Sequence, residues 1–294
     1  MKLSTVILPH EGWATSSEKW NRAEELGFHA AYTYDHLSWQ RLENRPWFGA
    51  VPTLVAASLV TLRLKVGTLV TSPNFRHPVP LAKDLLSLDD VSNGRLIIGI
   101  GAGGVGNDAS VLGAEAWTTR ERADRFEEFV SLLDELLREP VTSRSAKYYS
   151  ATDARMLPGP VQRPRPPFYI AATGTRGLDL AARFAQGWVT TGHDASSVAT
   201  CEQNVTRQLE RLGDALRRHS RHVNDVATLL LDGLNNERPL VSLDAFVDWA
   251  GRYRTLGITE LVIHWPEPDS LFDSSIATFE KIALEGLRQL GEQP

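Results

Sequence analysis

Three stretches of the chain carry residue types that could do chemistry together. The first is Tyr32-Thr33-Tyr34-Asp35-His36-Leu37-Ser38-Trp39, where a carboxylate stands beside an imidazole. Such a neighbour can orient the ring and hold its proton, as a general acid or base requires; the alternative is an ordinary loop aspartate next to a surface histidine. The second is Gly99-Ile100-Gly101-Ala102-Gly103-Gly104, which satisfies G-x-G-x-x-G after an apolar run. A dinucleotide fingerprint needs a helix opening directly from that pattern, whereas Val105-Gly106-Asn107-Asp108 continues as loop and the next helix waits until about Thr118. The glycines are better read as letting backbone approach a flat ring or a pyrophosphate with no side chain between. The third is Ala171-Ala172-Thr173-Gly174-Thr175-Arg176. Free amides at a helix start, two threonine hydroxyls and a guanidinium would make a phosphate cradle there, closed by Thr190-Thr191-Gly192. Turn residues in tight connections would look the same.

Other candidates are weaker. His219 and His222 have near-ligand spacing but sit among arginines that repel a cation, and His10-Glu11 is not the H-x-H of hydrolytic metal barrels, so no metal is expected. Glu24-Glu25, Asp89-Asp90 and Glu127-Glu128 read as solvated helix faces, and Cys201 as inert. Trp13, Trp39, Trp47 and Trp265 lie near strand ends, where they would wall a planar group, while Trp117, Trp188 and Trp249 are as easily core.

These residues need elements to position them. Short β-branched runs near 3-8, 29-34, 64-70, 95-100, 167-171, 187-191, 226-232 and 259-264 read as strands. Helical spacing fills the stretches near 17-26, 49-60, 79-91, 119-138, 176-186, 196-219, 243-255 and 275-290. The fourth helix is the best marked, with Thr118 and Glu121 forming a capping box before Phe126, Phe129, Val130, Leu133, Leu136 and Leu137. Runs such as Leu96-Ile97-Ile98 and Leu261-Val262-Ile263 are apolar on both faces, as in a parallel sheet covered by helices. Eight β-then-α units predict an α/β chain, a (β/α)8 TIM barrel as one domain over 1-294, with a doubly wound open sheet as the competitor. A barrel puts its site at the carboxyl ends of the strands; His10, His36, His77, His193 and His264 all fall there. Val141 to Pro167 breaks the repeat, an excursion between strand 4 and strand 5 of the barrel that reads as a rim lid.

Composition removes several classes of partner. The 294 residues carry 31 Lys plus Arg against 36 Asp plus Glu, a net charge of -5, so no basic footprint for nucleic acid or anionic lipid is present. No apolar run approaches the roughly 20 residues of a membrane span, and a lone cysteine suits a cytoplasmic protein.

Leu64-Lys65-Val66-Gly67-Thr68-Leu69-Val70-Thr71-Ser72-Pro73-Asn74-Phe75-Arg76-His77-Pro78, then Ser92-Asn93-Gly94-Arg95-Leu96 and Gly99-Ile100-Gly101-Ala102-Gly103, resembles the bacterial luciferase-like flavin and deazaflavin oxidoreductase superfamily. Pro160-Val161-Gln162-Arg163-Pro164, Gly174 and Leu180-Ala181-Ala182-Arg183-Phe184-Ala185-Gln186-Gly187-Trp188 match it too. The likeness runs from about Leu3 to Trp265. It implies a barrel with an isoalloxazine-type ring at the carboxyl end. Asp35-His36 followed closely by Trp39 looks most like the branch using coenzyme F420, a deazaflavin; there the residue matching His36 sits beside the reactive carbon and the one matching Asp35 supports it. The resemblance also implies a non-proline cis peptide at Leu69-Val70 against the ring, and phosphate loops at Gly174, Thr175 and Thr191. Sugar-phosphate dehydrogenases of that branch carry Thr-Gly-Glu where this chain has Ala102-Gly103-Gly104, so an acidic partner is missing and Asn107 is the expected substitute contact.

The expectation is therefore an oxidoreductase moving a hydride between F420 and a small organic substrate, with His36 as acid/base, Asp35 orienting it and Trp39 beside them. Leu69, Val70, Ala102, Gly103, Asn107, Gly174, Thr175, Arg176 and Thr191 would hold the cofactor. The alternatives are an FMN-dependent monooxygenase fed by a reductase partner and a flavin-binding protein without turnover. By resemblance alone the chain is expected to form a homodimer.

Overall fold

The computed structural model describes residues 1-39, 42-113, 115-192, 197-233 and 237-291. Along the chain run β1 (Lys2–Val6), α1 (Trp13–Glu25), β2 (Ala30–Thr33), α2 (Ala50–Val60), β3 (Lys65–Thr71), α3 (Pro78–Val91), β4 (Leu96–Gly101) and α4 (Thr119–Arg138). They are followed by β5 (Val141–Arg144), β6 (Ala151–Arg155), β7 (Phe168–Ala171), α5 (Thr175–Phe184), β8 (Gly187–Thr190), α6 (Val198–Arg218), β9 (Ala227–Leu231), α7 (Leu243–Leu256), β10 (Glu260–His264) and α8 (Ile276–Gln289). β1-β10-β9-β8-β7-β4-β3-β2 close into a parallel barrel, the last strand pairing with the first through Leu3 opposite Leu261 and Thr5 opposite Ile263. The TIM-barrel expectation is met, and the open-sheet alternative falls.

Strands buried on both faces explain the closure. One face of each strand fills the barrel interior with Val6, Tyr32, Ile97, Tyr169, Leu229 and Val262, and the other meets the helices through residues such as Leu3, Ile98, Phe168 and Leu261. α4 begins where its capping box places it, Thr118 Oγ1 accepting the Glu121 amide while the Glu121 carboxylate accepts the Thr118 amide at 3.1 Å.

The turns entering the strands are clasped by side chains that bond backbone. The Glu24 carboxylate accepts the amides of Leu62, Arg63 and Leu64. Arg95 donates to the carbonyls of Ser58, Leu64 and Ser92; Arg165 to those of Pro166 and Phe184; and Arg221 to those of Ala182 and Ala185. Gln162 reaches Asp89 and the Leu96 carbonyl.

The excursion differs from the expected lid. β5 and β6 form an antiparallel hairpin outside the barrel. It starts at the far end of α4, where Arg144 bonds Ser131, and climbs that helix until the Tyr148 and Tyr149 amides donate to Glu128. Near its tip Tyr149 and Arg125 both donate to the Pro73 carbonyl. Both strands keep most residues in contact with solvent, so the stretch lacks the apolar run that announces a barrel strand. It is a strut along α4 and adds no residue to the main cavity described below.

Candidate active site

A cavity of about 780 Å³ opens at the carboxyl ends of the barrel strands. Tyr34 and His36 reach it from the segment after β2, Leu69 and Val70 from β3, Ala102 from beyond β4, and Val189, Thr190 and Thr191 from β8 and its end. Tyr34 and His36 face it and Asp35 between them does not, because extended backbone sends alternate side chains to opposite sides.

That alternation corrects the expected dyad. Asp35, 1% exposed, makes a bidentate ion pair with Arg76, Oδ1 at 2.7 Å from Nη2 and Oδ2 at 3.0 Å from Nε. The carboxylate at His36 is that of Asp108, whose Oδ2 lies 2.6 Å from Nδ1 while Oδ1 accepts the Leu37 amide at 2.9 Å. A carboxylate at Nδ1 favours the tautomer with its hydrogen there and leaves Nε2 with a lone pair. Asp108 lies in the 3-10 turn Asn107–Ala109, one residue beyond the position expected to substitute for the missing acid; the Asn107 side chain lies outside the described residues.

Aromatic rings build the adjoining wall. Trp39 packs edge-on to Tyr34 and stacks on Phe272, which stacks in turn on His264 with ring centroids 3.6 Å apart. The Tyr34 hydroxyl bonds His264 Nε2 at 2.8 Å, and burial pushes that imidazole down to about 3, so the ring is neutral. Trp47 touches His36 and Trp39, whereas Trp13 stays exposed on α1 and Trp265 packs on Phe279.

The glycine loop serves the chain itself more than the expected close ligand approach. A Cβ on Gly101 would meet Val70 Cγ2 at 2.6 Å, and Gly103, at φ +77°, would meet Asn74 at 2.4 Å. These glycines seat the irregular end of β3, where the pairing register with β4 shifts and the Leu69-Val70 peptide is cis as expected. Gly103 does not line the cavity; its carbonyl accepts Arg122 Nη1 at 2.9 Å.

Opposite the dyad, Gly174 caps α5 without a side-chain bond, and Thr173, Gly174 and Thr175 line the cavity with Thr191. The amides of the first turn point outward with the positive end of the helix dipole. Arg176 lines the cavity but pairs with Asp124 and Glu127 of α4, so its charge is already balanced. Two arginines missed by the sequence reading have no carboxylate partner among the described residues: Arg122, on the cavity wall, and Arg211, whose Nη2 bonds Thr175 Oγ1 at 2.6 Å. Arg122 has as its only sequence signal a position one turn inside α4, and Arg211, well inside α6, has none. His10, Glu11 and Glu267 approach metal-ligand spacing, but Lys19 and Arg45 bond their carboxylates. His77 caps α3, and His193 lies outside the described residues.

Known proteins share this framework. The luciferase-like monooxygenase family matches residues 9–230. The F420-dependent glucose-6-phosphate dehydrogenase of Microbacterium testaceum is 33% identical over 217 residues, 71% of this chain and 60% of that protein. The chain spans between about half and three fifths of the length of most of the curated relatives it resembles in this way, and 73% of one from Intrasporangium calvum. The coenzyme F420-dependent tetrahydromethanopterin reductase of Methanopyrus kandleri superposes with a TM-score of 0.77 at 18% identity, covering 98% of this chain and 99% of the other. A monooxygenase of Streptomyces bottropensis superposes at 0.79 and 21% identity, covering 99% and 100%. At those identities the two structures speak for the fold alone. No helix among the described residues is long and apolar enough to cross a membrane.

Proposed function

The chain belongs to the luciferase-like monooxygenase family, and within it we propose that this protein is an oxidoreductase moving a hydride between coenzyme F420 and a small organic substrate. Support for the cofactor comes from the relative of Microbacterium testaceum, which is F420-dependent. The observation that carries the chemistry is the His36–Asp108 pair on the cavity wall.

The residues present suit a deazaflavin. Leu69, Val70 and Ala102 offer an apolar wall to a flat ring, and the uncapped α5 amides, Thr175, Thr191 and the unbalanced Arg122 offer a seat to a phosphate arm. Bound there, the cofactor would supply the carbon that takes or gives a hydride, chemistry the protein itself lacks. An alcohol that gives up a hydride must also lose its hydroxyl proton, and Nε2 of His36 takes it; in the reverse direction the same nitrogen returns it. Asp108 is a positioning residue, fixing the tautomer and offsetting the imidazolium charge. Asp35 holds Arg76 and steadies the segment that carries His36. The Trp39 stack screens one side of the site from water.

Equilibrium titrations with oxidised F420 and with FMN in one buffer, followed by cofactor fluorescence, test the assignment. Binding of F420 in the micromolar range, with FMN at least about tenfold weaker, is expected. Tighter binding of FMN overturns it and makes oxygen uptake the assay. Undiminished turnover by His36→Asn would overturn the acid/base role.

A further inference from the structure

Four of the seven residues from Gly101 to Asn107 are glycine, so the segment that delivers Asp108 to His36 has little stiffness of its own. Its position comes from what it leans on. The 3-10 turn that carries Asp108 is closed by the Ala109 amide on the Gly106 carbonyl at 2.9 Å. Ahead of that turn two side chains hold the backbone: Arg122 Nη1 donates to the Gly103 carbonyl at 2.9 Å, and Asn74 Nδ2 to the Gly104 carbonyl at 3.2 Å. Gly103 also lies close against the Asn74 amide, since a Cβ there would sit 2.4 Å from Oδ1.

Asn74 belongs to a loop that is itself well fixed. Arg125 Nη2 and the Tyr149 hydroxyl both donate to the Pro73 carbonyl, at 2.7 and 3.4 Å, the Asn74 amide donates to Ser72 Oγ at 3.4 Å, and His77 caps α3. Two residues beyond Asn74, Arg76 grips Asp35, whose neighbour in the chain is His36. One short loop therefore holds both halves of the dyad from behind, His36 through the Arg76–Asp35 ion pair and Asp108 through the bond to Gly104. The contact between them is short, 2.6 Å, and a charge-assisted hydrogen bond of that length weakens steeply when either partner moves.

We propose that Asn74 is a positioning residue that sets the His36–Asp108 contact, and with it which ring nitrogen of His36 keeps the lone pair. As a contact within the free protein this stands on the geometry alone; as a determinant of proton transfer it rests on the F420 reading above. Arg122 holds the neighbouring carbonyl but also lines the cavity, whereas Asn74 does not line it, so at Asn74 positioning separates from cofactor binding.

Nitrogen-15 NMR of the His36 imidazole, recorded on the full chain without cofactor at one alkaline pH and assigned by loss of the signal in His36→Asn, tests it. The wild-type hydrogen is expected on Nδ1. Asn74→Leu, which keeps the branched shape and cannot donate, is expected to lower the ratio of the Nδ1–H to the Nε2–H tautomer about fivefold, the worth of one net hydrogen bond. Added to Asp108→Asn, the same substitution is expected to change nothing further, because its effect runs through the Asp108 carboxylate. A wild-type hydrogen on Nε2, an unchanged ratio in Asn74→Leu whether or not Tm falls, or a further change in the Asp108→Asn background overturns the proposal. Should Asn74→Leu not fold, Asn74→Ala decides in the same way. F420 titration of the same samples keeps the two ideas apart. A tautomer response in protein that does not bind F420 sinks the cofactor reading and leaves the role of Asn74 standing; F420 binding with an indifferent tautomer does the opposite.

Discussion

Arg76→Met removes the only ion-pair partner shown for Asp35 while keeping an apolar stem of similar length. The carboxylate is 1% exposed and would be left buried and unpaired, whereas the Arg76 side chain is 22% exposed and can turn toward water. Breaking a buried pair from the cationic side costs about 3 to 5 kcal/mol, and the partial exposure of this one argues for about 3. With an unfolding entropy near 2.1 cal/mol/K per residue, a chain of this length loses about 5 °C of Tm for that cost. Asp35→Asn keeps an amide oxygen for the guanidinium and leaves a charge that can reach solvent, so about 1 to 2 kcal/mol, or about 2 to 3 °C, is expected. Thermal unfolding by circular dichroism at fixed pH gives the ordering directly. Equal losses, the reverse order, or a drop under about 2 °C for Arg76→Met would refute the argument from asymmetric burial. A hundredfold loss of turnover in a stable Asp35→Asn would refute the assignment of Asp35 to structure.

Other outcomes follow from the same geometry. Asp108→Asn presents an N–H to His36 Nδ1, forces the opposite tautomer and should lower kcat about 10²- to 10³-fold with Tm and F420 affinity nearly unchanged; full activity would remove Asp108 from the mechanism. Arg122→Ala, losing an unbalanced guanidinium on the cavity wall, should weaken F420 about tenfold in a fluorescence titration, and an unchanged affinity would place the phosphate elsewhere. His29 is pushed down to about 4 by burial and then by Lys2 and Lys65. A lowered folded value means that its contribution is fully present above about 6.5 and is lost as pH falls toward 4. Denaturant unfolding from pH 7 to 4 should therefore show a shallower acid loss in His29→Gln than in wild type, and parallel curves would contradict the shift.

The barrel was legible because each of its strands is short, bounded and mostly apolar on both faces, and because Thr118 and Glu121 mark a helix start unambiguously. The β5–β6 hairpin was not, since its residues touch α4 on one side only and leave no periodicity stronger than that of a loop. Adjacency misled at Asp35. Neighbours on extended backbone face opposite ways, so the residue next to His36 in sequence is turned from it, and one 72 positions later completes the pair. Arg176 misled for a different reason: its partners, Asp124 and Glu127, belong to another helix, and only the packing of α4 against α5 brings them within reach. The glycines of 99-104 were recognised as places of close approach, but what approaches Gly99 and Gly101 is the chain's own β3, and Gly103 the Asn74 side chain beyond it, which no local pattern shows.

The clasps at the strand entrances have a consequence for how this protein can change. Glu24, Arg95, Gln162, Arg165 and Arg221 tie the entrance turns with bonds to backbone atoms, which any side chain in those turns would leave intact. The main cavity is built from loops at the opposite end. Loop sequences there can be exchanged, shortened or recruited from a relative while the framework that sets their anchor points stays stitched, so the molecule is suited to acquiring new reactants by drift at one end without risking its fold at the other.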